Sequence, residues 1–316
     1  MLPKFIGYSA LSVVLLCSMP ALAQTEDSTA TEEDLSEMLD SNPGPKKKQY
    51  TTATFKTTRL INGHSVEQVG RGVLDFKISH RFNTIDKGFK DLFGLDGATI
   101  RLGFDYGVTD WLMIGVGRSS YEKEYDGFVK AKLLRQTEDN SMPVTLSYLG
   151  SAMVQSMEAN VPPGKEYFFS NRLCFANQLL IARKFNQLLS LQLMPVHVHY
   201  NLVNKVSESN DLFALGIGGR IKLSKRVTLN AEYYYQLPST QMDGTTNSLS
   251  VGFDIETGGH VFQLHFTNST GMTERTFIGR TTDSWSDGGI RFGFNISRVF
   301  TVARPREFKN SRNKIY

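Results

Sequence analysis

The chain has 316 residues, 40% hydrophobic and 21% charged, with a formal net charge of +4 and a mean hydropathy of −0.25. These values exclude a bundle of transmembrane helices, and two cysteines are too few for a disulfide-built scaffold. A membrane barrel stays open as a class, because it needs only one apolar face per strand and averages as a soluble protein does.

Residues 1–23 predict a cleaved secretory signal. Lys4 is the only charge, residues 5–16 are apolar, and Ala21-Leu22-Ala23 before Gln24 supplies the small-residue cleavage pattern. The bulky Leu16 ahead of Cys17 argues against lipoprotein processing. Cleavage leaves Cys174 as the sole thiol, so no intramolecular disulfide is expected even in an oxidising compartment. Residues 24–49 predict a disordered linker, acidic and then basic. Glu26, Asp27, Glu32, Glu33, Asp34, Glu37 and Asp40 are met by no base before Asn42-Pro43-Gly44-Pro45 and Lys46 to Lys48. From Gly44 onward the chain holds 34 of its 35 Lys and Arg but only 24 of its 31 Asp and Glu. Residues 50–71 form a lead-in that either enters a lumen as a plug or lies in the periplasm.

Residues 72–302 predict an all-β fold, a single antiparallel transmembrane β-barrel of about twelve strands. Ile100, Leu102, Phe104, Tyr106 and Val108 alternate with Arg101, Gly103, Asp105, Gly107 and Thr109, giving one apolar face and one small or charged face. The same period-2 pattern recurs at 72–82, 112–120, 125–136, 144–155, 168–185, 189–203, 212–223, 227–237, 248–257, 260–268 and 290–302. Tight connections at 110–111, 186–188, 224–226 and 258–259 alternate with longer ones at 83–98, 158–167, 204–211, 238–247 and 269–289. That is the barrel rule of short periplasmic turns and long outer loops. The short connection 121–124 and the long one 137–143 depart from it.

In Thr257-Gly258-Gly259-His260 the glycine pair suits a two-residue hairpin turn with positive φ. Tyr106, Trp111, Tyr121, Tyr125, Tyr200 and Tyr233 to Tyr235 lie near strand ends, where aromatic girdles are expected. Arg298 interrupts the apolar face of the last strand and is expected to snorkel, since the midplane penalises a charge by about 2–4 kcal/mol. Residues 303–316 form a basic tail with Arg304, Arg306, Lys309, Arg312 and Lys314.

Four stretches carry a family likeness: Phe55-Lys56-Thr57-Thr58-Arg59-Leu60-Ile61-Asn62-Gly63-His64, Asp126-Gly127-Phe128 to Leu133-Leu134-Arg135-Gln136, Gln178-Leu179-Leu180-Ile181-Ala182-Arg183-Lys184-Phe185, and Gly252-Phe253-Asp254-Ile255-Glu256-Thr257-Gly258-Gly259-His260-Val261-Phe262-Gln263-Leu264. Together they resemble a family of outer-membrane β-barrels of Gram-negative bacteria, a domain of unknown function, over roughly residues 51–302. The resemblance implies the barrel and its location; it brings no substrate, cofactor or catalytic residue.

Parity turns Lys77, Arg81, Arg101, Lys130, Lys132, Arg172, Lys184, Arg220, Lys222 and Arg291 toward the lumen, with Asp75, Asp105, Asp126, Glu232, Asp254, Glu256 and His265. Twelve strands stand between filled small barrels and open porins, so a narrow or plugged pore is expected. His197-Val198-His199 puts two imidazoles on one strand face, but two ligands do not make a metal site, and Pro195 is a place where a bulge would swap the faces. No metal or cofactor is therefore expected. An outer-membrane lipid-modifying enzyme, a hydrolase or acyltransferase, is the weakest reading, because no Gly-x-Ser-x-Gly elbow, His-Glu-x-x-His motif or phosphate loop occurs. His80 and His265 have no assembled partners in the sequence. The expected partners are outer-membrane lipids, including lipopolysaccharide, and the barrel-assembly machinery; an exported chain meets no nucleic acid. Alternation carries no information on oligomeric state. The sequence thus predicts a cell-outer-membrane barrel, a narrow channel or transporter for small polar or anionic solutes, with a non-conducting structural or surface-binding barrel as the alternative.

Overall fold

The computed structural model describes residues 48–157, 166–203, 205 and 207–303. The expected signal, nearly all of the acidic linker and the basic tail from residue 304 lie outside the described residues. The strands are β1 (Val73–Thr84), β2 (Ala98–Gly107), β3 (Leu112–Ser119), β4 (Glu124–Leu134), β5 (Thr145–Gln155), β6 (Leu173–Lys184), β7 (Leu189–Tyr200), β8 (Asp211–Lys222), β9 (Val227–Gln236), β10 (Ser248–Thr257), β11 (His260–Thr267) and β12 (Arg291–Thr301). A four-residue helix, α1 (Glu274–Phe277), lies in the connection between β11 and β12. Each strand pairs antiparallel with its neighbour in sequence, and β1 closes on β12 through register pairs such as Lys77↔Ser297. The sheet therefore has no free edge, as a backbone in lipid requires.

The alternation decides which side chains meet which medium. On β2, Ile100, Leu102 and Phe104 are 38%, 42% and 45% exposed, while Arg101 and Asp105 on the opposite face are buried. Phe253, Leu264 and Phe266 on β10 and β11 repeat the outward exposure. An apolar belt on the outside with charge sealed inside inverts a soluble protein, and it is stable only in hydrocarbon. Arg298 is exposed on β12 and lies 5.0 Å over the ring of Phe300, in keeping with its place on the outer face.

The hairpins explain the register. Gly258 and Gly259 carry φ of +25° and +143°, and the ladder resumes at once with Thr257↔His260. The long connection 137–143 has a partner of its own: Tyr50 pairs with Thr137, and Thr51 N–H donates to Gln136 O at 2.9 Å. It is lengthened because it receives the incoming chain. β6 starts at Leu173 rather than near 168, since Phe169–Arg172 closes a 3-10 turn, and Arg172 lies on the loop over Tyr167 instead of in the lumen.

Pro195 does not reverse the strand faces. The ladder between β6 and β7 keeps one register from Gln178↔Val196 to Ile181↔Leu193. His197 and His199 stay on the outward face with Leu191 and Leu193, whereas Val196, Val198 and Tyr200 are buried inside. Tyr200 and Tyr234 accordingly leave the expected girdle for the interior, while Trp111, Tyr125, Tyr233 and Tyr235 stay exposed. The reason is an apolar inner wall. Cys174, Ala176, Leu180, Met194, Val198, Tyr200, Leu212 and Ala214, on β6 to β8, form a cluster with Phe55, Leu60 and Val66 from the lead-in and with Phe277 and Ile278 from the β11–β12 connection.

Candidate functional site: a lumen filled from both ends

Two segments occupy the inside of the barrel. The first, residues 48–70, comes from the short-turn end, where Lys184 Nζ donates to Thr52 O at 2.8 Å and Lys56 pairs with Glu256. It folds back as a tight hairpin at Arg59↔His64, with Leu60 N–H donating to Gly63 O at 2.8 Å, and leaves again at Gly70. We call it the plug.

Its tip is held as an anion site would hold an anion, with the charge supplied by the wall. The Glu232 carboxylate of β9 accepts from the backbone N–H groups of Ile61, Asn62 and Gly63 at 3.2, 2.7 and 3.1 Å. Successive N–H groups aimed at one point form a concave donor nest, and a buried carboxylate satisfies all three. Only glycine fits at the third position, because a Cβ there would fall 1.9 Å from Tyr234 Oη. Arg81 donates to Asn62 Oδ1 at 2.7 Å, Asn295 Nδ2 to Ile61 O at 2.9 Å and Gln263 Nε2 to Leu60 O at 2.8 Å. Farther down, Lys130 Nζ donates to the carbonyls of Glu67 at 2.6 Å and Ser65 at 3.0 Å. Gln192 accepts from Val66 N–H at 2.9 Å and donates to His64 O at 2.8 Å.

The second segment is the connection 268–290, entering from the long-loop end. Residues 271–279 are all buried, including the whole of α1. We call it the lid. Arg275 pairs with Glu122 and, at 2.9 Å, with Glu124; Thr273 donates to Glu124 as well. Tyr200 Oη donates to Arg275 O at 2.6 Å, and the ring of Phe277 meets Tyr234 edge-on at 5.1 Å. Burial alone would lower the Arg275 pKa, but Glu124 and Glu122 hold it above the ordinary value, so the latch is ionic.

The charged groups of plug and lid approach each other at Glu274. Glu274 Oε1 stands 3.8 Å from Arg59 Nη1 and 3.6 Å from His64 Nε2. Burial drives the His64 pKa well below its usual value, and the charges of Arg59, Lys130, Arg101 and Lys77 push the same way. His64 is therefore neutral at pH 7, and its ring packs edge-on against Phe128 at 4.5 Å. Burial raises the Glu274 carboxyl and lowers the Arg59 guanidinium, each opposed by the other's charge. Between plug and wall at the short-turn end a cavity of about 260 Å³ is lined by Thr51, Glu67, Gln68, Asp110, Lys132 and Arg135.

A closed twelve-strand barrel with this interior has a counterpart among known families. The Membrane bound beta barrel domain (DUF5777) matches residues 55–300. The chain belongs to this family. The match begins inside the plug, so the DUF5777 domain includes the hairpin that fills the lumen as well as the wall. No curated protein matches the chain. Among solved structures it is similar to the NanC porin, with a TM-score of 0.46 and 8% identity over 72% of this chain and 98% of that one. It is also similar to the KdgM porin, at 0.42 and 12% over 72% and 99%, and to Omp33 of Acinetobacter baumannii, at 0.38 and 9% over 72% and 97%.

Of the residues that parity turns inward, Lys77, Arg81, Arg101, Asp105, Lys130, Arg220, Glu232, Asp254 and His265 are buried inside this DUF5777 barrel. Most of them are tied in pairs or to the plug. Lys77 pairs with Asp75 and stands 3.7 Å from Asp105; Arg101 pairs with Asp126; Arg220 donates to Ala53 O at 2.9 Å; Gln263 donates to Asp254 at 2.9 Å. Lys132 and Lys184 are half-buried at the short-turn mouth, and Glu256 is exposed there. Arg291 lies at the other mouth, 2.5 Å from Asp283. Gln192, Gln263 and Asn295 carry as much of the plug's anchorage as the charges do, and the inward parity that flagged the charges selects these three as well. His80 faces outward, stacked 4.9 Å from Phe294, and among the described residues neither its Nδ1 nor either ring nitrogen of His265 has a side-chain hydrogen-bond partner.

Proposed function

We propose that this DUF5777 protein is an outer-membrane barrel that is sealed at rest and passes small polar solutes only when the plug withdraws. In that membrane the short turns face the periplasm and the long loops face outward, so the plug enters from the periplasmic side and the lid from outside. The observation that carries the reading is the attachment of the plug tip, residues 60–63, to Glu232, Arg81, Asn295 and Gln263. Each tie to these four side chains is a hydrogen bond that water can replace. Lys77 and Arg101 are paired within the wall, whereas Arg81, Lys130, Arg220 and Glu232 bind the plug, so withdrawal of the plug would leave free charges of both signs in the lumen, a surface suited to small polar solutes. A second reading, a permanently closed structural barrel, draws support from Phe55, Leu60 and Val66, whose packing on the apolar wall water cannot replace.

Planar-bilayer conductance separates the two. The full chain is expected to be silent. A variant lacking residues 48–70, checked for heat-modifiable migration in detergent gels, is expected to give current steps in potassium chloride, more so with Arg275→Ala to loosen the lid. Steps from the full chain would contradict the seal, and silence from the folded deletion variant with the loosened lid would leave the permanently closed barrel.

A further inference from the structure

A cluster outside the lumen carries chemistry that neither plug nor lid uses. His197 and His199 are two apart on β7, so both rings leave the same outward face near its long-loop end. The third member comes from the next strand. Asp211 opens β8 and is the register partner of His199, an opposed pair whose Cβ atoms stand about 4.5–5.5 Å apart. His197 Nε2 lies 2.8 Å and His199 Nδ1 2.7 Å from the same Asp211 Oδ1. All three donor atoms fall within 4.8 Å of one another.

We propose that His197, His199 and Asp211 form a divalent transition-metal site of the zinc class on the outer rim of the barrel. Two imidazoles and one carboxylate are the donor set that takes zinc or copper ahead of magnesium or calcium, which prefer oxygen alone. Zinc holds nitrogen and oxygen at about 2.0–2.2 Å, so tetrahedral ligands around it stand roughly 3.3 Å apart. The two His–Asp contacts have only to open by about half an ångström to admit the ion. The His197 ring is already oriented, stacked on Phe213 at 4.9 Å and 25°, and the backbone of Asp211 is held by its N–H donating to Ser209 Oγ at 3.1 Å. The side chains of His197, His199 and Asp211 are 34%, 39% and 45% exposed, so an ion reaches them from outside without the lumen opening. Three protein ligands leave a fourth position open, the arrangement of a site that binds an exchangeable ligand. The site is independent of whether the barrel conducts.

Zinc titration of the refolded full chain in detergent, repeated with cobalt for its ligand-field absorption, tests this. The wild type is expected to bind one zinc ion per barrel and to give a tetrahedral cobalt spectrum. His197→Ala with His199→Ala is expected to abolish both, and Asp211→Asn to weaken binding by about tenfold or more. Barrels of all variants should migrate alike in unboiled gels, since the three side chains lie on the outer surface. Equal binding by wild type and the double variant would overturn the proposal, as would the absence of a stoichiometric site in the wild type. Should the variants fail to refold, diethylpyrocarbonate labelling of the wild type decides: zinc must protect His197 and His199 while leaving His260 reactive, and labelling of the pair unchanged by zinc would overturn the site.

Discussion

The two walls of the lumen hold the same plug by different physics. On one side, β9 to β12 and β1 to β4 meet it with Glu232, Gln263, Asn295, Arg81 and Lys130, all through hydrogen bonds to its backbone or to Asn62. On the other side, β6 to β8 meet Phe55, Leu60 and Val66 with a mainly apolar surface, in which Gln192 is the polar exception with its two hydrogen bonds to the backbone of Val66 and His64. The polar wall gives direction and register, because each bond has one geometry, whereas the apolar wall gives non-directional burial that water does not replace. A plug held only by the first would exchange easily; one held only by the second would have no defined seat.

Removing the tip's anchor should have the largest effect. Glu232→Ala leaves three buried N–H groups without an acceptor, at roughly 1–3 kcal/mol each. Hydrogen exchange at Ile61, Asn62 and Gly63 is expected to accelerate by more than a hundredfold, and unchanged protection would show that the apolar wall alone seats the plug. Arg275→Ala comes next. It strips buried Glu124 of its counter-charge, a loss of about 3 kcal/mol, and is expected to free residues 271–279 for limited proteolysis. Leu60→Ala probes the apolar wall directly, and a cavity there costs about 2–3 kcal/mol of plug docking. If exchange at the tip responds to this change as strongly as to Glu232→Ala, the division between the walls fails.

Acid supplies the smallest effect and the most specific one. His64 faces Arg59 on the plug, Glu274 on the lid, and Lys130, Arg101 and Lys77 on the wall. Its pKa in the docked plug lies well below 6.5, so docking stability is whole above pH 6.5 and is lost as the pH falls from there toward the docked value, because only the released plug takes the proton. Glu274, whose pKa is raised, works the other way: its share is whole below the unfolded value of about 4.5 and is lost as the pH rises through the docked value. The His64→Gln variant should therefore lose less protection at the plug tip than wild type between pH 6.5 and 5. Parallel pH profiles would remove His64 from the contact.

The fold was readable because lipid enforces strict alternation: Ile100, Leu102 and Phe104 all have one medium to face, and the pattern locates every strand to within a few residues. The interior was only half readable. Charged residues such as Lys77 and Arg101 declare an inside by exclusion, but Val196, Val198, Leu212 and Tyr234 are apolar on a face that parity alone assigns to water. Their partners, Leu60 and Phe277, are distant in sequence, and nothing local marks either as an inward-folding segment. The third member of the histidine cluster was hidden for the same reason, since Asp211 joins His199 only through the register of β7 on β8.

The Cys174 thiol, the only one among the described residues, tests the seal most directly. Cys174 is buried on the inner face of β6, opposite Tyr200, whose hydroxyl binds the lid at Arg275. With residues 1–23 removed, a small water-soluble methanethiosulfonate should leave Cys174 unlabelled in the native barrel for hours and modify it within minutes once residues 48–70 are deleted and Arg275 is replaced by Ala. Rapid modification of Cys174 in the intact barrel would show that water already passes the plug and the lid, and the sealed lumen would have to be abandoned.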